Sequence, residues 1–329
     1  MRVLVTGGGG YIGSVAVECL LRAGYDVVVL DNFWRGHQPA VPTGVEKVDC
    51  DLRDRDHTIR AVKEARVDAV LHFAAATLVG ESVVQPAEYF EINVVGSHNL
   101  LVAMRDAGVS KLVFSSTAAV YGMPETLPIT ETAPTVPINP YGRSKLMVEQ
   151  MLEWHAGAYG LRYACPRYFN VAGATEQHGE DHEPETHVIP VALQVLLGKR
   201  PHFSVFGTDY PTPDGTAIRD YVHVVDLAEA HILALKRLDE TLGPINLGTR
   251  DGFSVRQIVA AVERVTGRDL PVEYGPRREG DPPALVADSS KAHRLLGWTP
   301  TRSTMDEMVG SAWRWFQAHP HGYQDDGQS

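Results

Sequence analysis

Short apolar runs alternate with helix-length amphipathic stretches through the first half of the chain. Val3-Leu4-Val5, Val27-Val28-Val29-Leu30, Ala69-Val70-Leu71-His72-Phe73, Lys111-Leu112-Val113-Phe114-Ser115 and Arg162-Tyr163-Ala164-Cys165 each read as a strand. Unbroken apolar runs of this length suit strands covered on both faces. Residues 11–23 read as a helix with Val15, Cys19 and Leu20 turned inward and Gly24 ending it. Residues 86–107 and 141–159 read as further helices. This alternation predicts an α/β fold, a Rossmann-type doubly wound parallel sheet. The pattern loosens after Gly173, where Pro and Gly thicken, as in Tyr210-Pro211-Thr212-Pro213-Asp214-Gly215. A first domain is therefore expected at 1–170 and a smaller C-terminal α/β substrate lobe at 171–329, with some segments crossing back. Helical patterns return at 224–238, 254–266 and 304–315, and the end around Asp325-Asp326-Gly327 reads as a frayed tail.

Composition narrows the partners. A chain of 329 residues can bury a full α/β core with room for a second lobe. Its formal net charge of -11 argues against a nucleic-acid partner, which demands a basic surface. No apolar run approaches the roughly 18 residues of a membrane span or the roughly 7–15 of a signal-peptide core. Cys19, Cys50 and Cys165 are scattered and odd in number, as reduced thiols are. A soluble, cytoplasmic protein with no membrane partner is the expectation.

The first apolar run meets Gly7-Gly8-Gly9-Gly10-Tyr11-Ile12-Gly13. Gly7, Gly10 and Gly13 stand after a strand and at the head of a helix, where glycine allows a sharp turn and close approach to a pyrophosphate. The helix N-terminus then offers N–H groups and partial positive charge. No lysine follows, so the loop is not a P-loop. Asp31, 18 residues past Gly13 and at the end of the second strand, can accept both hydroxyls of an adenosine ribose. That favours NAD over NADP, with Arg35 close enough to keep the second open. Asp51 and Leu52, after the third strand, can cradle the adenine.

Tyr141 and Lys145 stand four residues apart and share one face of a helix. Free tyrosine, with a pKa near 10, is no base at neutral pH. A neighbouring ammonium and a positive nicotinamide favour the phenolate and bring it toward the working range. Lys145 can instead pair with Glu149. Ser115-Ser116-Thr117 ends the strand that starts at Lys111, at the strand ends where open α/β sheets bind ligands, and Thr117 can bridge a substrate hydroxyl to Tyr141. These groups predict redox chemistry on an alcohol.

On these residues the chain resembles the extended short-chain dehydrogenase/reductases over nearly its whole length. His72-Phe73-Ala74-Ala75, Gly80-Glu81-Ser82, Ser115 through Gly122 and Arg167-Tyr168-Phe169-Asn170 extend the likeness. Blocks 206–224 and 276–281 resemble the family's branch of nucleotide-sugar 4-epimerases. That resemblance implies an NAD-dependent isomerase, with the cofactor held tightly. It would interconvert UDP-galactose and UDP-glucose by transient oxidation at sugar carbon 4, rotation of the 4-keto intermediate, and return of hydride to the opposite face. It implies that Thr117, Tyr141 and Lys145 are catalytic. Cofactor contacts would come from Gly7, Gly10, Tyr11, Ile12, Gly13, Asp31, Asn32, Asp51, Leu52, Phe73, Ala74, Ala75, Asn93, Ser115, Tyr141, Lys145 and Phe169. Beside Thr117 and Tyr141, the UDP-hexose would be held by Asn170, Val188, Phe206, Arg219, Tyr221, Arg278 and Asp281. Arg219 and Arg278 are forks suited to a diphosphate. Two departures appear: threonine replaces the serine of some relatives at 117, and Thr77 replaces their lysine. Leu285 would line the sugar's 2-substituent, and its intermediate size leaves N-acetylhexosamines open.

A 4,6-dehydratase of the same superfamily places Asp-Glu directly after the threonine for elimination. Here Ala118-Ala119 follow, and methyl groups transfer no protons. A dehydrogenase shares the Tyr/Lys pair and stays open, as does a non-catalytic dinucleotide sensor on the same fold. The stretch His178-Gly179-Glu180-Asp181-His182-Glu183-Pro184-Glu185-Thr186-His187, rich in acids and turn formers, reads as a solvated loop over the substrate site, with no metal expected. By the same resemblance, the helices at 86–107 and 141–159 imply a homodimer through a four-helix bundle.

Overall fold

The apolar runs pair in parallel, and their order decides where the chemistry falls. The computed structural model describes residues 1–278 and 281–324; Glu279-Gly280 and the Asp325-Asp326-Gly327 tail lie outside the described residues. Strands β1 (Arg2–Thr6), β2 (Asp26–Asp31), β3 (Glu46–Asp49), β4 (Ala69–His72), β5 (Lys111–Phe114), β6 (Ser116–Thr117) and β7 (Arg162–Tyr168) share one sheet. It runs β7-β5-β4-β1-β2-β3, with β6 attached to β7 and every pair parallel. Val3 of β1 lies between Val27 of β2 and Ala69 of β4. The strand order therefore reverses at β1, which opens a crevice beyond the carboxyl ends of β1 and β4.

Helices cover both faces. On one side α1 (Tyr11–Arg22) packs Val15, Ala16 and Leu20 onto Val3, Val5 and Leu71. On the other, α2 (Arg55–Ala65) sets Ala61 and Val62 against Leu4 and Val28. Two short helices, α3 (Val79–Val84) and α4 (Pro86–Phe90), precede a π-helical turn at Glu91–Val95, and α5 (Gly96–Ala107) continues from it. The single helix expected at 86–107 is thus interrupted. The wider turn carries buried Asn93, whose amide bonds the backbone of Ala76 in both directions. Helix α6 (Pro140–Tyr159) adds Val148 and Leu152 to the same face as α2.

Beyond Tyr168 the strands shorten. β8 (Asn170–Ala172), β9 (Phe203–Phe206), β10 (Ile218–Arg219) and β11 (Tyr221–His223) form small separate sheets, whereas β12 (Gly243–Leu247) returns to lie beside β7. Helix α7 (Val188–Leu196) precedes β9, and α8 (Val224–Lys236) packs Leu227, Ala228 and Ala230 into the same core as α1. The second half of the chain therefore completes one face of the large sheet. β13 (Phe253–Ser254), α9 (Val255–Thr266), β14 (Val272–Gly275), β15 (Ala284–Leu285), α10 (Ser290–Leu296) and α11 (Met305–Ala318) follow. α7, α9 and α11 bury Leu193, Val262, Met308 and Trp315 in a core of their own. No helix of the described residues is long and apolar enough to cross a membrane.

One buried ion pair fastens α6 to the sheet. Arg167 of β7 forks onto Glu149, its Nε 2.9 Å from Oε1, and both side chains are almost fully buried. Ser116 Oγ donates to the same carboxylate at 2.5 Å, and Arg167 Nη1 donates to Tyr121 Oη at 2.9 Å. Glu149→Ala strands a buried guanidinium, so a loss of ~3–5 kcal/mol in unfolding free energy is expected by urea titration. A loss under ~1 kcal/mol, the worth of a surface pair, would contradict the pair's role.

Candidate active site

Glycine at the end of β1 is dictated by contact with the next strand of the crevice. Gly7 has φ +73°, and a Cβ there would lie 2.5 Å from Ala74 N, so the loops after β1 and β4 touch only because it is absent. A Cβ on Gly13 would stand 2.0 Å from Gly7 O. Gly10 caps α1 with no side-chain hydrogen bond, and the first turn carries no acid. The helix head therefore keeps N–H groups and positive potential for an anion, which fits a dinucleotide pyrophosphate. Tyr11 Oη donates to Gly173 O at 2.5 Å, and Ile12 packs on the core beneath.

Asp31 is buried and accepts from Gly9 N and Phe33 N, each at 2.8 Å. Burial pushes its carboxyl up, and these backbone N–H groups offset part of the rise. Its remaining lone pairs can take two ribose hydroxyls. Arg35 pairs with Glu81 at 2.6 Å and stacks 4.3 Å over Trp34, which draws its charge toward that carboxylate. Asn32 Nδ2 donates to Asp51 Oδ2 at 3.1 Å, and Arg53 holds the same carboxylate well inside hydrogen-bond range. Leu52 is buried, and Asn99 fixes its carbonyl at 2.9 Å. Phe73 and Ala74 both donate their N–H to Thr6 O, and Ala75 follows at the crevice edge. Asn93 also donates to Ser144 Oγ at 2.9 Å, tying the loop after β4 to α6.

Helix α6 begins on a cap: Asn139 Oδ1 accepts from Gly142 N at 2.8 Å, with Pro140 in the first turn. Tyr141 in that first turn and Lys145 one turn later are both buried. Lys145 Nζ donates to Ser115 O at 2.9 Å and lies 4.9 Å from the Phe114 ring centroid. Burial pushes this ammonium down to about 7. The Lys145–Glu149 pair left open by the spacing is displaced, since Glu149 is taken by Arg167 and Ser116. Ser115 Oγ meets Tyr168 Oη at 2.5 Å. Thr117 Oγ1 accepts from Ala119 N at 3.1 Å and lies near enough to the Tyr141 hydroxyl to favour its ionised form.

The lysine is only one of the two charges expected to favour the phenolate. In the chain by itself, burial raises the Tyr141 hydroxyl above its ordinary value, and nearby Thr117 offsets that only in part. The lysine does not bring it to neutrality unaided, because its ammonium is tied to Ser115 O and is itself desolvated. A further positive charge is needed beside the phenol.

The substrate-side residues come from short strands stitched together at Asp220. Asn170 pairs in register with Tyr221, and its N and Nδ2 both donate to Asp220 O at 3.0 and 3.1 Å. The Asp220 carboxylate accepts from Thr249 N and Oγ1 at 2.7 Å and from Ala287 N at 3.0 Å. This fully buried hub escaped sequence reading; its signal was a lone acid between Arg219 and Tyr221. Arg219 pairs with Asp281 and donates to Ile218 O at 2.7 Å, while Leu285 lies beside it in register. Arg278 lies 4.2 Å over the Phe206 ring. Val188 opens α7. Phe169 and Leu285 pack on Ala118, Val120, Tyr121 and Leu146, which joins this group to the strand end carrying Thr117.

The loop at 178–187 also departs from expectation, since it is only partly solvated. His178, Glu180 and Glu185 are buried, and His178 Nδ1 lies 2.7 Å from Glu18 of α1. Asp181 Oδ2 accepts from Tyr323 N at 2.8 Å. Burial follows because partners distant in sequence close over the loop.

A model of the NAD dependent epimerase/dehydratase family matches residues 3–248. A relative from Halalkalibacterium halodurans, named UDP-glucose 4-epimerase, is 51% identical over 327 residues, covering 98% of each chain. A crystal structure of a UDP-glucose 4-epimerase superposes with TM-score 0.96 at 48% identity, covering 99% of this chain and 100% of that one. The Brucella ovis UDP-glucose 4-epimerase, solved in complex with NAD, gives TM-score 0.93 at 46% identity and 98% coverage of each.

Proposed function

The chain belongs to the NAD dependent epimerase/dehydratase family, and on that premise we propose that it interconverts UDP-galactose and UDP-glucose by inverting sugar carbon 4. One observation carries the choice of reaction: Thr117 lies near enough to Tyr141 to favour its ionised form, yet the next two side chains are the methyl groups of Ala118 and Ala119. The site can move a proton at one hydroxyl and has no acid–base pair there for elimination.

NAD, when bound, would supply the hydride acceptor and donor for carbon 4. The glycine loop, the uncapped head of α1 and Asp31 are suited to hold it. Tyr141, as phenolate, removes the proton from the 4-hydroxyl while Thr117 orients that hydroxyl. Lys145, fixed by Ser115 O, keeps positive charge within the same dry pocket. Arg219 uses two of its roughly five N–H donors on Ile218 and Asp281, so others remain for a diphosphate. Arg278, resting on Phe206, adds a second cation. A clamp on the nucleotide that leaves the sugar unpinned permits the ring to turn and present its other face.

Incubation of the purified protein with UDP-galactose and no added cofactor should yield UDP-glucose with no net NADH. Tyr141→Phe should cut the rate by ~10²–10⁴ or more while the dinucleotide still co-purifies. Full activity in that variant sinks the assignment of the base, and absence of turnover in wild type with NAD bound would favour a sensor.

The protein is further proposed to act as a homodimer. Val83, Val84, Val95, Met147 and Trp154 are exposed apolar side chains on α3, the π turn and α6, and Trp154 is 78% exposed. An apolar grouping of this kind supports a covered face. Sedimentation velocity should give a dimer for wild type and a monomer for Trp154→Glu; a monomeric wild type contradicts it.

A further inference from the structure

Between the head of α1 and the start of α7 lies a side-chain cluster that the epimerisation chemistry does not use. Glu180, His182, Glu185 and His187 each bring one donor atom to a common place, and these atoms all lie within 4.8 Å of one another. His187 Nδ1 is 2.7 Å from Glu180 Oε1 and 2.9 Å from Glu185 Oε1. His182 Nδ1 is 3.2 Å from Glu180 Oε1 and 3.8 Å from Glu185 Oε2. Both glutamates are only 5% exposed, so these are not surface acids gathered by chance.

Two features point to a cation. His182 Nδ1 is closed off from solvent and makes no well-angled hydrogen bond, although a carboxylate oxygen stands 3.2 Å away. A buried ring nitrogen in that condition costs free energy unless another partner takes its lone pair. Two buried carboxylates also require compensating positive charge.

The donor set selects the ion. Half the donors are imidazole nitrogens, which suit zinc and its first-row neighbours, whereas magnesium and calcium favour oxygen alone. A tetrahedral zinc site with bonds of ~2.0–2.2 Å places its corners ~3.3–3.6 Å apart. The His–Glu separations run from 2.7 to 3.8 Å, and all four donor atoms lie within 4.8 Å, so modest side-chain shifts would bring them to that spacing. Glu185 Oε1 is already oriented by the N–H groups of Thr186 and His187, at 2.7 and 2.8 Å. Such outer contacts hold a ligand in its binding pose.

We propose that Glu180, His182, Glu185 and His187 form a closed four-ligand site for a zinc-class divalent cation, which fastens the loop before α7 against the head of α1. The His182 ring meets Tyr11 edge-on, with centroids 6.3 Å apart, and Val188 is the next residue after the last ligand. The ion thus links the cofactor loop to the substrate side. Four protein ligands leave no open position for water or substrate, so the role is structural.

The test uses the full chain without a histidine tag. Chelator-stripped protein is incubated with Zn²⁺, passed through gel filtration and measured by inductively coupled plasma mass spectrometry. About one zinc per chain should be retained, and Co²⁺ in its place should give the visible absorption of a four-coordinate ion. Zinc should raise the melting midpoint of wild type but not of His182→Ala or Glu185→Gln, and each variant should bind zinc more than ~100-fold more weakly. Wild type that emerges without zinc and whose melting midpoint ignores it overturns the proposal. So does zinc held equally by wild type and by both variants. If the variants fail to fold, the wild-type measurement still decides.

Discussion

A lysine ammonium held where water cannot reach it is the constraint around which the rest is arranged. Lys145 is 2% exposed, and its charge is met by one carbonyl, Ser115 O, and the face of Phe114. Such a group is tolerated only if its helix cannot shift. Surface pairs cannot ensure that: Arg105–Asp106 and Arg264–Asp306 are exposed and screened by solvent. The restraint comes from buried contacts on three sides of α6. Asn139 caps its start, Ser144 is bonded to Asn93, and Glu149 is gripped by Arg167 and Ser116. Tyr141 is carried into place by the same restraints.

The second requirement is that a cofactor cradle meet this helix face, and the sheet order supplies it. With β1 between β2 and β4, the glycine loop, Asp31 and the Phe73-Ala74 turn converge at one crevice. β5 continues that edge, so Ser115 and Thr117 open beside them. Chemistry at carbon 4 then depends on distances set by a rigid sheet, while the nucleotide is held by short strands stitched at Asp220.

Local features were legible in the sequence; distant pairings were not. The glycine loop and the Tyr141/Lys145 spacing are visible because both lie within one strand–helix turn or one helical turn. Ala118-Ala119 was informative for the same reason. The partner of Glu149 was not legible: position 145 is the local candidate, and the sheet supplies Arg167 instead. The return of β12 beside β7 has no local signal, since a five-residue strand says nothing of its neighbour. The loop at 178–187 looked solvated because its acids are evident in sequence, whereas Glu18 and Tyr323, which bury it, lie far away.

The electrostatic core of the site can be titrated directly. Ultraviolet difference spectra of NAD-saturated wild type, Lys145→Met and Tyr141→Phe would isolate the Tyr141 phenolate as the signal missing from the last. The buried ammonium should place the wild-type midpoint at least ~1 pH unit below that of Lys145→Met. Identical midpoints in the two proteins would show that the lysine does not act on the base, and would contradict the role given to it here.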